Sequence, residues 1–554
     1  MQDVNITDTT EKHSEVQFSS SSPNPSGPPA TTTKSIRFWL LFSSLCLAAF
    51  CCNLEATVLT TVIPLIVRDL HVKDQYIWVN ASYAIAAAVI QPLCGQVSNI
   101  FGRRMPMLLA LALFTFGSGI CGGASSTAML IAGRTFQGLG AGSMMMLMEV
   151  ITCDILPLRE RSKYLGFMLA FASVGVTAGP TIGGALASRS TWRWAFYVCV
   201  PPGGSCFLLA VAFLRLKSPR EPTWKAALLR VDVLGNVIFI ASTSSMLLGL
   251  IMGGQLYHWS SWRIVVPIVL GALGWFLFAF HQASPYCKEP TIPPRLFSNR
   301  TAVTGFALVF LSCMLLEWIV YFLPYYFQTV RGSSALRSGV QSLPFNCFLV
   351  PVAAINGQLL FKFGQYKPLH WAGFGFVALA AGLFSTMDSN TSTVKWVFWQ
   401  FFASCGIGSL VMSTLPAIQS SLPESDVATS TGVHAFLRNF GFAWGFTIPS
   451  LVFNNRVRAG INTVEDPEVR AIIASGDAYS QANSPLFASL TVKAKEQTIR
   501  LYTVSLRSLW YAALAFSLLG FILVFLEKRI KLRESLQTQF GLDEKKDSEK
   551  ETKG

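Results

Sequence analysis

The chain has 554 residues, of which 52% are hydrophobic and only 13% charged, with a formal net charge of +14. So little charge over this length excludes an ordinary soluble domain and points to an all-α polytopic membrane protein. The positive balance does not signal nucleic acid, because Lys and Arg sit in short clusters between apolar runs, as cytoplasmic membrane loops do.

In chain order, residues 1–37 are polar and rich in Ser, Pro and Thr, and read as a disordered cytosolic tail without a cleavable signal. A helix crosses a bilayer with about 20 apolar residues. Six spans are expected at 38–64, 77–98, 105–125, 128–152, 163–187 and 193–214. Two more follow at 232–253 and 263–282, and six at 302–328, 338–361, 368–387, 395–418, 429–453 and 508–526. This divides the chain into a first six-helix bundle (38–215), a linker with two inserted spans (216–299) and a second six-helix bundle (300–526). A polar external loop is expected at 454–507 and a charged cytosolic tail at 527–554.

Fourteen spans place both termini on one side. With both inside, internal connections hold about fifteen Lys or Arg against about eight in short external ones, the bias that sets orientation. The Asn390-Thr391-Ser392 glycosylation pattern then falls outside, while Asn5-Ile6-Thr7 falls inside. The twelve cysteines lie mostly in apolar runs without ligand spacing, and the six histidines are scattered, so neither a metal centre nor an enzyme is indicated.

Several segments carry more specific information. Gly175, Gly179 and Gly183 recur every four residues in GVTAGPTIGG, with Gly184 beside them, so a helix carries a smooth stripe for close packing in lipid. Pro180 removes a backbone donor and is expected to bend that helix. Arg134 lies inside a span, where a charge costs about 2.5–3.5 kcal/mol and needs a cavity or a partner. Gln137 and Gly138 share its face. The connection from Gly95 through Asn99 to Gly102, Arg103 and Arg104 allows a tight helix-loop-helix passage, its arginines facing cytosol and headgroups.

Helical spacing sorts the remaining polar residues. Glu317, Tyr321, Pro324 and Gln328 form one stripe, as do Asn80, Tyr83, Ala87 and Gln91, and His434 and Arg438 stack one turn apart. These, together with Gln137, mark candidate substrate contacts, and Glu317 is a candidate proton carrier because a carboxylate facing lipid is unfavourable. Glu55 lies about 200° around its helix from Asn53 and Thr57, at 100° per residue. Two readings stay open for it: a buried partner for Arg134, or a proton-binding group.

Gly95-Gln96-Val97-Ser98-Asn99-Ile100-Phe101-Gly102-Arg103-Arg104 resembles the GxxxDxxGRR loop of the major facilitator superfamily, with Asn99 where the family usually has Asp. Arg134-Thr135-Phe136-Gln137-Gly138-Leu139-Gly140 resembles its RxxQGxG motif, whose arginine is associated with proton coupling. GVTAGPTIGG resembles the motif of its antiporters. Leu54-Glu55-Ala56-Thr57-Val58 and Trp192 to Tyr197 with Val200-Pro201 resemble elements of the fourteen-span drug:proton antiporter branch, and Tyr321 to Gln328 and Ser338 to Pro344 resemble its fungal members. The resemblance covers residues 38–526. It implies the major facilitator fold, two six-helix bundles plus two inserted helices. It further implies a monomer at the plasma membrane, powered by the proton gradient without a cofactor, that exports amphipathic small molecules. A vacuolar or plasma-membrane carrier of basic amino acids or iron chelates, or a non-transporting sensor of the same fold, are the alternatives. Asn99 loses the negative charge of the family's latch, whereas Glu55 keeps a carboxylate on a longer arm.

Overall fold

The computed structural model describes residues 34–70, 76–216, 223–254, 256–467, 469–471 and 491–533. Apolar runs must be helical where no water is available, because each backbone N–H then needs a carbonyl from its own segment. The helices are α1 (Ile36–Asp69), α2 (Tyr76–Phe101), α3 (Arg104–Gly122), α4 (Thr127–Ile155), α5 (Leu158–Arg189), α6 (Trp194–Tyr197), α7 (Val200–Phe213) and α8 (Trp224–Leu229). They continue with α9 (Val233–Met252), α10 (Trp262–Ala283), α11 (Arg300–Thr329), α12 (Ala335–Phe363), α13 (Lys367–Phe384), α14 (Thr393–Ser420), α15 (Val427–Gly460) and α16 (Val492–Leu523). Every expected span coincides with a helix, and twelve are long and apolar enough to cross a membrane on composition alone. The two that fall short are α13, with Lys367 and His370 at its start, and α15, which carries His434, Arg438 and Asn439.

Three boundaries differ from the sequence expectation. The sixth span is two helices, α6 and α7, with Pro201 in the first turn of α7, where a missing N–H is tolerated. The expected loop 454–507 is helical at both ends, since α15 runs to Gly460 and α16 starts at Val492. Charged residues such as Lys493, Lys495 and Arg500 hide these turns from a hydropathy window, yet all are good helix formers. The tail expected from 527 is anchored at first: Glu527 is buried against the His370 ring at 2.9 Å. The Asn5 pattern lies outside the described residues.

Helices α1–α7 form one bundle around Phe114, Leu147 and Phe196, and α11–α16 form another around Trp318, Phe327 and Trp510. The hairpin α9–α10 packs through Phe239 and Phe278 on Phe436 and Phe440 of α15. It is also tied to α2, where the Gln96 amide donates to the Glu289 carbonyl at 2.7 Å and accepts from Asn236 at 3.0 Å. The α2–α3 turn needs a glycine, because Gly102 has φ +79°.

The two bundles meet at the end carrying this turn, here the gate end. Ser162 on α5 donates to the Met412 carbonyl at 3.0 Å, Arg161 to Gln419 at 2.8 Å and Asn99 to Thr429 at 2.9 Å. Toward the opposite end, the mouth, the same faces diverge. Thr177 and Thr181 on α5 are exposed, and so are Cys347, Leu343 and Val340 on α12. A cleft therefore lies between the bundles, shut at the gate and open at the mouth.

The residues after α16 cross the gate. Leu532 is buried between Leu158 of the first bundle and Leu360, Tyr366 and Ala417 of the second, while the Arg533 carbonyl accepts from Arg159 N at 3.3 Å. A charge in this apolar contact opposes closure. Leu532→Asp is expected to loosen the gate and shift the population toward a closed mouth. Labelling of exposed Cys347 with a membrane-impermeant maleimide should slow about five-fold, about 1 kcal/mol. Unchanged labelling would mean that Leu532 has no part in the gate.

Candidate functional site

Three layers of charge lie in and beside the cleft. Nearest the mouth, Arg134 of α4 pairs with Glu55 of α1, and both are almost wholly buried inside the first bundle. Arg134 also donates to Gln137 Oε1 at 2.8 Å and to the Val79 carbonyl at 3.1 Å, with the Tyr83 ring 4.2 Å from its guanidinium carbon. Gln137 in turn donates to Ser118 at 2.8 Å. Glycines make this approach possible. A Cβ on Gly138 would sit 2.9 Å from Tyr83 Cα, and one on Gly142 would sit 2.6 Å from Ala87 Cα. Gln137 and Gln91 are fully buried and hydrogen-bonded, so they lie off the open cleft surface instead of lining it as expected. Tyr83 is half-buried on Arg134, and Asn80 is exposed toward the mouth.

The Glu317 stripe belongs to the second bundle. Glu317 is half-buried beside exposed Tyr321, and no hydrogen-bond or ion-pair partner is found for its carboxylate among the described residues. Tyr321 meets Phe446 edge-on at 5.1 Å. Gln328 is used otherwise: it donates to Ser338 at 2.8 Å and joins α11 to α12 at the mouth.

At mid-depth the cleft ends in a cluster that spans both bundles. Arg438 of α15 pairs with Glu149 of α4, and His434 Nδ1 lies 3.7 Å from the same carboxylate. Asn439 donates to Gln91 at 2.9 Å alongside them. Glu149 escapes the sequence reading, although a carboxylate inside an apolar span is itself a signal. Its partner is 289 positions away and only folding reveals it.

At the gate end, Arg103 is buried instead of facing cytosol. It donates to Asp154 of α4 at 2.7 Å, to the Ser98 carbonyl at 2.6 Å and to Asn99 at 3.1 Å. The guanidinium needs an anion once buried, and Asp154 supplies it. Asn99 can then use its amide both ways, accepting from Arg103 and donating to Thr429 across the gate. Arg104 stays at the surface and donates to the Val211 carbonyl at 2.8 Å. Gly95 brings α2 onto α15, where an added Cβ would lie 3.1 Å from the Ala428 carbonyl oxygen.

The glycine stripe of α5 packs on α1. Gly175, Gly179 and Gly183 are buried, Gly184 faces open space, and the helix is assigned as one element through Pro180. Asn390 is exposed in the turn between α13 and α14 at the mouth end. Folding also draws together Asp232, His281 and Cys287, with one ligand atom of each within 4.8 Å of the others. Asp232 is already engaged by Gly235 N at 2.9 Å, His281 at 2.9 Å and Gln282 at 2.5 Å, so the cluster serves as a cap for α9.

Comparison with known proteins agrees with this arrangement. The Major Facilitator Superfamily model matches residues 45–231 and 230–446. The chain is 49% identical over 514 residues to the MFS efflux transporter aclA of Aspergillus oryzae, covering 93% of each chain. It is 43% identical to the MFS-type transporter ucsD of an Acremonium species, covering 93% of this chain and 88% of that one. With the efflux pump FUS6 of Gibberella fujikuroi the identity is 40%, covering 94% of each. Among solved structures, the human organic anion transporter MFSD10 (TETRAN) superposes with a TM-score of 0.57 at 14% identity, covering 89% of this chain and all of that one. The proton:xylose symporter XylE gives 0.51 at 14% identity, covering 87% and 95%. These two likenesses concern the fold, while the sequence relatives and the family model carry the assignment. With two helical bundles around a one-sided cleft and these matches along its length, the chain is a multi-pass membrane protein that belongs to the major facilitator superfamily and is not an enzyme.

Proposed function

We propose that this protein exports amphipathic small organic molecules, such as drugs, toxins or secondary metabolites, in exchange for protons by alternating access. The observation that carries the reading is the cleft shut at the gate and open at the mouth, with the Glu317 carboxylate unpartnered among the described residues beside it. The names of the sequence relatives support efflux. In this reading the gate end faces the cytosol of a plasma-membrane protein, and Asn390 is a glycosylation acceptor outside.

Protonation of Glu317 from the outside would remove a charge from the cleft and favour closure of the mouth. The buried Glu55–Arg134 pair answers by exchanging an ion pair for a neutral acid, which changes how α1 and α4 hold each other. Cargo loaded from the cytosol then returns the bundles to the open mouth.

Proteoliposomes loaded with a fluorescent amphiphile test this directly. An imposed pH gradient should drive its movement, and Glu317→Gln should reduce gradient-driven movement at least ten-fold while leaving downhill exchange measurable. Gradient-independent transport in the wild type, or full coupling in Glu317→Gln, would overturn the role assigned to Glu317.

A further inference from the structure

The cluster of Glu149, His434 and Arg438 lies where the cleft ends. Arg438 follows the start of α15 by eleven positions, about 16 Å of helical rise, which is near the middle of a bilayer core. The ion pair joins the two bundles, so it cannot survive a rearrangement that parts α4 from α15. Parting would leave a guanidinium in a low-dielectric site without its anion, a strongly unfavourable state unless another anion replaces Glu149.

The cluster is also incompletely satisfied as it stands. Among the described residues Arg438 Nη2 is buried without a hydrogen-bond partner, while Glu149 Oε2 and His434 Nδ1 face each other only at 3.7 Å, beyond hydrogen-bond distance. The cluster nevertheless reaches the cleft, since the Arg438 side chain retains 20% of its exposure. Toward the mouth the same face of α15 continues through Phe442 to Phe446, at four-residue steps, and Tyr321 packs on Phe446 at 5.1 Å. A cationic end with a spare donor group on Arg438 thus leads into an aromatic track about 12 Å long.

We infer that Arg438 binds an anionic group of the cargo, that Glu149 is the internal anion which this group displaces, and that preferred cargo are amphipathic acids with an apolar body. The inference rests on the export reading above and adds a substrate class to it. The charged and titratable groups around the exchange are His434 on α15, Glu149 on α4, and Cys313 and Glu317 on α11, with Thr414 of α14 at 3.4 Å from the His434 ring. Only Arg438 among them carries a permanent cation. Loading in the parted state pairs cargo with Arg438. Re-closure of the gate returns Glu149 to the guanidinium and expels the acid into the open mouth.

The probe is 11-(dansylamino)undecanoic acid, compared with its methyl ester, in fluorescence binding to the purified full-length protein in nanodiscs. Wild type should bind the acid at least ten-fold more tightly than the ester. Glu149→Gln should tighten acid binding several-fold, because the competing carboxylate is gone. Arg438→Gln should bring the ratio of acid to ester affinity down to about one, with Arg438→Lys partly restoring the preference. Equal binding of acid and ester by wild type would overturn the inference without any variant being needed. So would acid binding weakened as much by Glu149→Gln as by Arg438→Gln, since that marks a merely structural pair. Export is scored separately with the neutral ester in proteoliposomes. If the gradient moves the ester but no acid preference exists, only the substrate class fails. If neither probe moves, the export reading itself fails.

Discussion

Arg134→Gln is expected to give a protein that is poorly folded as well as inactive. Arg134 is 2% exposed, and removing its charge leaves the Glu55 carboxylate buried with no cation to answer it. Breaking one side of a buried pair costs about 3–5 kcal/mol. That is a large fraction of the stability of a typical domain. The predicted signature is a strong drop in membrane-extracted protein and in its melting temperature. Glu55→Gln should cost a comparable amount, because the buried Arg134 guanidinium cannot shed its charge, and it also removes the group that trades Arg134 for a proton. The double variant Glu55→Gln/Arg134→Gln should regain much of the stability and none of the gradient-driven transport. This cycle separates folding from coupling, as single variants cannot. Full transport by the double variant would remove the pair from the coupling machinery.

The second large effect is expected at the α5 stripe. An added Cβ at Gly179 would lie 2.8 Å from Thr57 Cβ and 3.0 Å from the Val58 nitrogen, so the obstruction includes backbone that cannot rotate away. Gly179→Leu must push α5 off α1. Overpacking of this kind costs about 1–3 kcal/mol, and here it also moves the helix that supplies Ser162 to the gate. Transport should fall at least ten-fold while protein still reaches the membrane. Gly184→Leu is the internal control: no described residue lies within 4 Å of its added Cβ, so transport should stay within about two-fold. Equal loss in both variants would mean that the stripe responds to bulk in lipid and not to the α1–α5 contact. Equal retention would reduce it to plain small-residue packing.

These two sites also show how much of the molecule could be read in advance. The glycine stripe needed only a four-residue period, and the structure buries it on α1. Arg134 announced itself as a charge within an apolar run, and Glu55 was recognisable as one of its two possible fates. The ends of α15 and α16 were not legible, because Lys493, Lys495 and Arg500 look like loop to a hydropathy reading while remaining helical. Arg103 looked like a surface arginine, since nothing local marks Asp154 of α4 as its partner at 2.7 Å. The assignment of Gln91 and Gln137 to the cleft failed for a related reason. Helical spacing gives a face, but a face inside a bundle can meet another helix instead of open space.

The sequence by itself determined the order of the long apolar segments, their helical character and the stripes along each one. Those properties follow from the length of the bilayer and from hydrogen bonds closed within a single segment. Only the tertiary structure decided that Glu149 meets Arg438, that Leu532 crosses the gate and that the cleft opens at the mouth. Each of these joins residues from separate bundles, and their meeting depends on how two preformed bundles lean on each other, a relation that no local period in the chain encodes.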